Sequence, residues 1–267
     1  MMRILHLSDI HYRIKYPIPQ NSYDRIFEQM TSPLTLLKNS SAHLRASGKA
    51  VDAVLLSGDL TEDGNSEDYR ALKNALQEVF PGTPIIAALG NHDCKSAFYE
   101  GWLQQKNTAP YHHVVSFPEL QIIVLDNADP ERFPNGRITE DTCIWLKKKL
   151  EEAGEKPVLL MMHHQVINAD VVPPCSYPPQ FTALVERKNV LGICCGHTHH
   201  YCKGMIAEKP YYIAGSMSFI GLSNEKKAEV QFRERYGYNY YVIEDSRIKS
   251  EEMVSFDTGK ELGNVVF

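Results

Sequence analysis

Short, almost wholly apolar runs alternate along the chain with segments whose apolar residues recur every three to four positions. RILHLS (3–8), VDAVLLSG (51–58), TPIIAALG (83–90), PVLLMMHH (157–164) and VLGICCG (190–196) are such runs. Strands covered on both faces read this way, because both of their side-chain rows are apolar. HHVVSF and QIIVLDN predict two adjacent strands with a turn at Pro118–Leu120. A helical stretch broken near Pro33 is predicted over about 22 to 47. SEDYRALKNALQEVF (66–80) predicts a helix capped by Ser66, with Tyr69, Leu72, Ala75, Leu76 and Val79 on one face. A short helix is expected after Lys95, and another over 139–154, capped by Thr139 and ended by Gly154. Beyond Gly204 the stretches YCKGMIAE, PYYIAGS, YNYYVIED and RIKSEEMVSF predict strands joined by short turns.

Strands alternating with helices, then a run of strands, predict an α/β protein, a four-layer α-β-β-α sandwich. Two mixed sheets would lie face to face with helices outside. No repeat or linker interrupts the 267 residues, so one domain is expected over 1–267. Its motif-bearing core is placed at about 3–215, with strands over 236–257 completing the second sheet.

The apolar runs share a feature at their ends. SDIH brings Asp9 and His11, SGDL brings Asp59, LGNHD brings Asn91, His92 and Asp93, MMHH brings His163 and His164, and GHTHH brings His197 and His199. Ligands bind outside the carboxyl ends of strands in open α/β sheets. Oxygen donors mixed with imidazoles suit divalent transition metals. One ion needs only some of these groups; seven or eight suit two ions sharing a carboxylate. Residues two apart in extended chain point the same way, so Asp9 and His11 can converge on one ion.

The series SDIH, SGDLTEDG, GNHD, MMHH and GHTH resembles the calcineurin-like metallophosphoesterase superfamily over about residues 3 to 215. GDLTEDGNSEDYRALK is most similar to its class III cyclic-nucleotide phosphodiesterase and glycerophosphodiesterase branch. Leu89 stands before GNHD where the protein phosphatases of the superfamily carry a basic residue. The resemblance implies that Asp9, His11 and His199 hold one metal, that Asn91, His163 and His197 hold another, and that Asp59 bridges them. It favours His163 over His164 as ligand, and it makes His92 the proton donor to the leaving oxygen. Asp93 is expected to hold the other ring nitrogen of His92. The implied cofactors are two divalent transition ions, manganese, iron or zinc. The implied reaction is hydrolysis of a small phosphodiester, of cyclic-nucleotide or glycerophosphodiester type, by a hydroxide bridging the two ions. A phosphomonoesterase or nucleotide pyrophosphatase on the same metals is the alternative enzyme. A catalytically silent scaffold would predict lost ligands, and every position is filled.

Composition changes this picture little. The net charge of −5 and the absence of a basic run weigh against a nuclease or another nucleic-acid partner. MMRILHLSDIHYR is broken by His6 and Asp9, which fits neither an export signal nor a membrane span, so the cytoplasm is the default. The expected partner is a small phosphoester; oligomeric state is not legible. Cys94, Cys143, Cys175, Cys194, Cys195 and Cys202 form no CxxC pair and read as small buried side chains, with Cys94 notable for adjoining GNHD. His6 reads as a packed strand residue, His112 and His113 as surface, His200 as surplus, and the run 225–235 as a solvated face. Loops 12–21, 127–137 and 165–179 can cover the site, offering Arg13, Lys15, Arg132 and Arg137 to phosphate and Tyr12, Tyr16 and Phe133 to a base. Gln165 and Val166 stand where the family places prolines, so the third loop is expected to differ.

Overall fold

The computed structural model describes residues 1–169, 172–224 and 228–266. In chain order it contains β1 (Met2–Leu7), α1 (Asp24–Gln29), α2 (Pro33–Ala46), β2 (Ala53–Ser57), α3 (Ser66–Val79), β3 (Ile85–Ala88) and α4 (Lys95–Leu103). There follow β4 (His113–Ser116), β5 (Gln121–Val124), α5 (Glu140–Ala153), β6 (Val158–Met161), α6 (Gln180–Val185) and β7 (Val190–Cys195). The chain ends with β8 (Cys202–Ile206), β9 (Lys209–Ile213), β10 (Ile220–Asn224), β11 (Glu229–Glu244) and β12 (Arg247–Val266). One mixed sheet runs β10-β11-β1-β2-β3 with β12 added on β11; the other runs β4-β5-β6-β7-β9-β8. β1, β2 and β3 are parallel to one another, as are β5, β6, β7 and β9.

The apolar runs are explained by where alternate residues go. In β1, Leu5 and Leu7 join a core with Leu36 of α2, Tyr69 and Leu72 of α3 and Phe98 of α4. Ile4 points the other way, into a core shared by Leu55 of β2, Ile122 of β5, Leu159 of β6 and Cys194 of β7. On the far side of β6, Leu160 packs with Leu146 of α5 and Phe181 of α6. Helices, sheet, sheet and helices therefore form four layers, and central strands have no polar face because both faces are covered. Among the described residues no helix is long and apolar enough to cross a membrane.

Several expectations need correcting. The strands over 236–257 do not complete the second sheet; β11 pairs antiparallel with β1, and β12 with β11, so both belong to the first. Pairing partners are set by tertiary packing that a strand's own pattern does not encode. Asn65, not Ser66, caps α3: its side chain accepts from the Glu67 and Asp68 N–H groups at 2.9 and 3.1 Å, while Asp68 accepts from Asn65 N–H at 2.9 Å. The run 225–235 is not all solvated face. From Glu229 it is β11, with Phe232 and Glu234 buried; Glu225, Lys226 and Lys227 lie outside the described residues. β10 and α6 carry no pattern that announced them.

His6 is packed as expected. It is fully buried, with Nδ1 3.0 Å from the Tyr241 hydroxyl and Nε2 2.8 Å from Ser57 Oγ. Burial lowers its pKa from 6.5 to about 3. Above pH 6.5 this side chain is neutral whether folded or unfolded; below it only the unfolded chain takes the proton, so its contribution to stability is lost as pH falls from 6.5 towards 3. Urea unfolding of wild type and His6→Gln between pH 7.5 and 5 should show the stability gap closing by about 2 kcal/mol. A gap constant with pH would mean that His6 is not held neutral.

Candidate metal centre

Five strands of the two sheets deliver their carboxyl ends to one place. Asp9 and His11 follow β1, Asp59 follows β2, Asn91 follows β3, His163 follows β6, and His197 and His199 follow β7. The turns are held to one another through backbone: Asp9 N–H donates to Gly58 O at 3.1 Å and His11 N–H to Asp59 O at 3.0 Å. Asp9, His11, Asp59, His197 and His199 all have positive φ, between 47° and 72°. In these left-handed turns the paired residues Asp9 and His11, and His197 and His199, face the centre, and non-glycine residues adopt that backbone at a cost. Gly58, at φ 102°, admits no side chain: a Cβ there would lie 2.4 Å from His163 Nδ1.

The geometry forms two neighbouring donor sets. Atoms of Asp9, His11, Asp59 and His199 converge within 4.8 Å of one another. His163 Nε2 lies 3.2 Å from Asp59 Oδ2 and 3.2 Å from Asn91 Oδ1, so Asp59 stands between the sets. His163, His164 and His197 form a further convergent group. The ring orientations are fixed from behind. His163 Nδ1 donates to Ser57 O at 2.8 Å, and His199 Nδ1 donates to Phe219 O at 2.7 Å. His11 Nδ1 faces Glu62 Oε2 at 2.5 Å.

These contacts test whether cations fit. With Nδ1 protonated, Nε2 of neutral His11 and of neutral His199 each present a lone pair, and the two atoms are 3.0 Å apart. Burial pushes the His199 pKa down to about 4, so a proton on His199 does not relieve that contact near neutrality. A cation held by both lone pairs would, with the Asp9 and Asp59 oxygens as the remaining donors of this set. Burial opposes charge on Asp59, yet His163 and His92 outweigh it and hold the carboxylate well below its ordinary range. Burial also opposes charge on His163, but Asp59 outweighs it and raises the pKa to about 9. A second cation beside Asp59 would take over the role of that proton.

Of the MMHH pair, His163 faces Asp59 and Asn91. His164 turns to the loop over 127–137, its Nε2 donating to Pro134 O at 2.9 Å. Asn127 Oδ1 accepts from the N–H groups of both, at 3.2 and 3.1 Å. His197 gives its backbone N–H to Asp9 at 3.1 Å, and its ring lies 5.1 Å from that of His163.

The expected role of Asp93 is not met. Its carboxylate accepts from Leu60, Thr61 and Gly90 N–H and from the Tyr69 hydroxyl, at 2.8 to 3.2 Å, which leaves it tying the β2 and β3 exits together. Glu62 stands where Asp93 was expected. His92 Nδ1 lies 3.3 Å from Glu62 Oε1, whose other oxygen holds His11. Burial lowers the His92 pKa, but Asp59 and Glu62 outweigh it and raise it to about 10. Glu62 was hidden in a turn of acids, TED, that reads as solvated; its place three residues after Asp59 was the available signal.

The loop residues divide. Tyr12 is buried, Tyr16 stacks on Phe27 and donates to His11 O at 2.7 Å, and Arg13 pairs with Asp68 at 2.9 Å, so all three anchor rather than reach substrate. Phe133 is 59% exposed and sets its ring edge-on to His92 at 5.6 Å. It lines a cavity of about 1000 Å³ beside Asn91, with Cys94, Lys95, His112 and Arg137. Cys94 is exposed, Cys202 half-buried and the other four cysteines buried. His112 is half-buried: Nδ1 accepts from Asp126 N–H at 3.0 Å and the ring is tilted against Trp145 at 5.1 Å. His113 is half-buried beside Tyr111. In the third loop Gln165 Nε2 donates to Val172 O at 2.9 Å; Asp170 and Val171 lie outside the described residues.

The family model of calcineurin-like phosphoesterases matches residues 2–201. The chain is 29% identical over 210 residues to the glycerophosphodiester phosphodiesterase GpdQ of Enterobacter lignolyticus, covering 74% of this chain and 71% of that one. It is 32% identical over 156 residues to a probable cyclic nucleotide phosphodiesterase of Synechococcus, covering 57% and 59%. A dimetal phosphatase from Danio rerio shares the fold, with a TM-score of 0.58 at 13% identity over 87% of this chain and 95% of that one. With the motif series, the strand-end donors and the matched model in agreement, the chain belongs to the calcineurin-like phosphoesterase family and is a phosphoester hydrolase.

Proposed function

We propose that the chain is a phosphodiesterase with a two-ion centre, in which Asp9, His11 and His199 hold one divalent cation, Asn91, His163 and His197 hold the other, and Asp59 is shared. The observation that carries this is Asp59, within 3.7 Å of His11 Nε2 through Oδ2 and 3.2 Å of His163 Nε2 through the same oxygen. The cations supply charge that neutralises the phosphoryl oxygens and lowers the pKa of water. The donor set mixes oxygen and nitrogen, which suits manganese, iron or zinc.

The chain's own residues do the rest. Asp59 Oδ1 accepts the backbone N–H of His92 at 2.9 Å, which ties the residue proposed as proton donor to the shared ligand. Glu62 favours the protonated imidazole of His92, so the ring can give a proton to the departing alkoxide. Glu62 also sets the tautomer of His11, leaving Nε2 free as a ligand. GpdQ and the probable cyclic nucleotide phosphodiesterase of Synechococcus support a diester as substrate.

Chelator-treated protein should be inactive, and manganese, iron or zinc should restore turnover of bis(p-nitrophenyl) phosphate at least about tenfold above that of p-nitrophenyl phosphate. Equal or reversed preference would transfer the reading to a monoesterase. Replacing His92 by Ala should slow an alkyl diester by about 10²–10⁴-fold in kcat. The nitrophenyl diester should slow far less, because its leaving group needs little protonation. Equal slowing of both substrates, with metal content retained, would remove the acid role from His92.

A further inference from the structure

The cavity beside Asn91 reaches Thr108 and Thr142, in parts of the chain that carry none of the donor residues. At about 1000 Å³ it has room for much more than a phosphoryl group. Two cationic side chains line it, and both are already paired. Lys95 Nζ is bonded to Asp126 and donates to Ala128 O at 3.1 Å. The Asp126 side chain is fully buried and also accepts Tyr111 N–H at 2.8 Å, so this pair is fixed by packing. Arg137 Nη2 lies 2.7 Å from Asp129 Oδ2. Asp63 adds a carboxylate whose side chain is 74% exposed, and Asp93 adds another that is spent on its four donors.

A second negative charge entering this space would find no unpaired Lys or Arg among the described residues that line it, and would face Asp63 and Asp129. Stripping its water without a partner is costly. A neutral arm meets the reverse situation. Phe133 offers an exposed ring and Thr108 a hydroxyl.

Resting on the diesterase reading, we propose that this cavity receives the organic arm of the substrate and selects an arm without negative charge, with Asp129 and Asp63 setting the preference. Asp129 acts by neutralising Arg137; Asp63 acts by its own field. Both are specificity residues, and neither touches the proposed metals.

Two nitrophenyl phosphodiesters with isosteric arms test this on the metal-loaded full chain, one arm para-carbamoylbenzyl and the other para-carboxybenzyl. The amide should be preferred in kcat/KM by at least about tenfold, since like charges across an interface suppress the wrong partner. In Asp129→Asn and in Asp63→Asn that ratio should narrow severalfold. Asp63 is exposed, so its variant folds even where Asp129→Asn does not. Equal use of both arms overturns the proposal, and so does a ratio unchanged in the folded variants. Calorimetric binding of para-carbamoylbenzyl and para-carboxybenzyl phosphates separates the two readings. A chain that turns over neither diester but binds the amide tighter keeps this inference and loses the diesterase reading. Equal binding, or binding of neither, removes the inference.

Discussion

Asp59 is the point on which the two sheets and the candidate centre depend. Its carboxylate is 2% exposed, and one of its oxygens lies within reach of imidazoles from both sheets, His11 after β1 and His163 after β6. An ionised group buried this deeply survives only if opposite charge surrounds it. His163 and His92 supply that charge, and the His92 backbone N–H bonds the other oxygen. The neighbouring glycines follow from it. A Cβ on Gly90 would lie 2.1 Å from Asp59 Oδ1, so β3 can approach β2 closely only with glycine there.

The same demand explains the backbone. Five of the seven proposed ligands sit in left-handed conformation, where a non-glycine residue costs about 1–3 kcal/mol. Continuous strands underneath bear that cost. β1, β2, β6 and β7 are buried on both faces, and each ends immediately before the turn that carries a ligand. Rigid strands and strained exits place donors from distant parts of the sequence within a few ångströms.

Much of this was legible in the residues. The strands of the sheet interiors were visible because coverage on two faces leaves an uninterrupted apolar run, and the proposed ligands because each run ends in a polar motif. Other features were not. Asp93 adjoins His92 in sequence, yet the turn sends its carboxylate to Leu60, Thr61 and Gly90, so adjacency misled. Glu62 looked like one more acid in a polar turn, and only the fold brings it against His11 and His92. β11 lies beside β1 rather than in the second sheet because Tyr238 and Tyr240 fill the core under α2 and α3 while Tyr241 fills the space between sheets, a division that no local pattern reveals.

The central claim is that one buried carboxylate serves two ions. Anomalous scattering from crystals saturated with manganese tests it most directly. The account predicts two peaks about 4 Å apart, both within about 2.0–2.2 Å of the Asp59 carboxylate, one flanked by His11 and His199 and the other by Asn91 and His163. A single fully occupied peak, or two peaks of which only one touches Asp59, would contradict it.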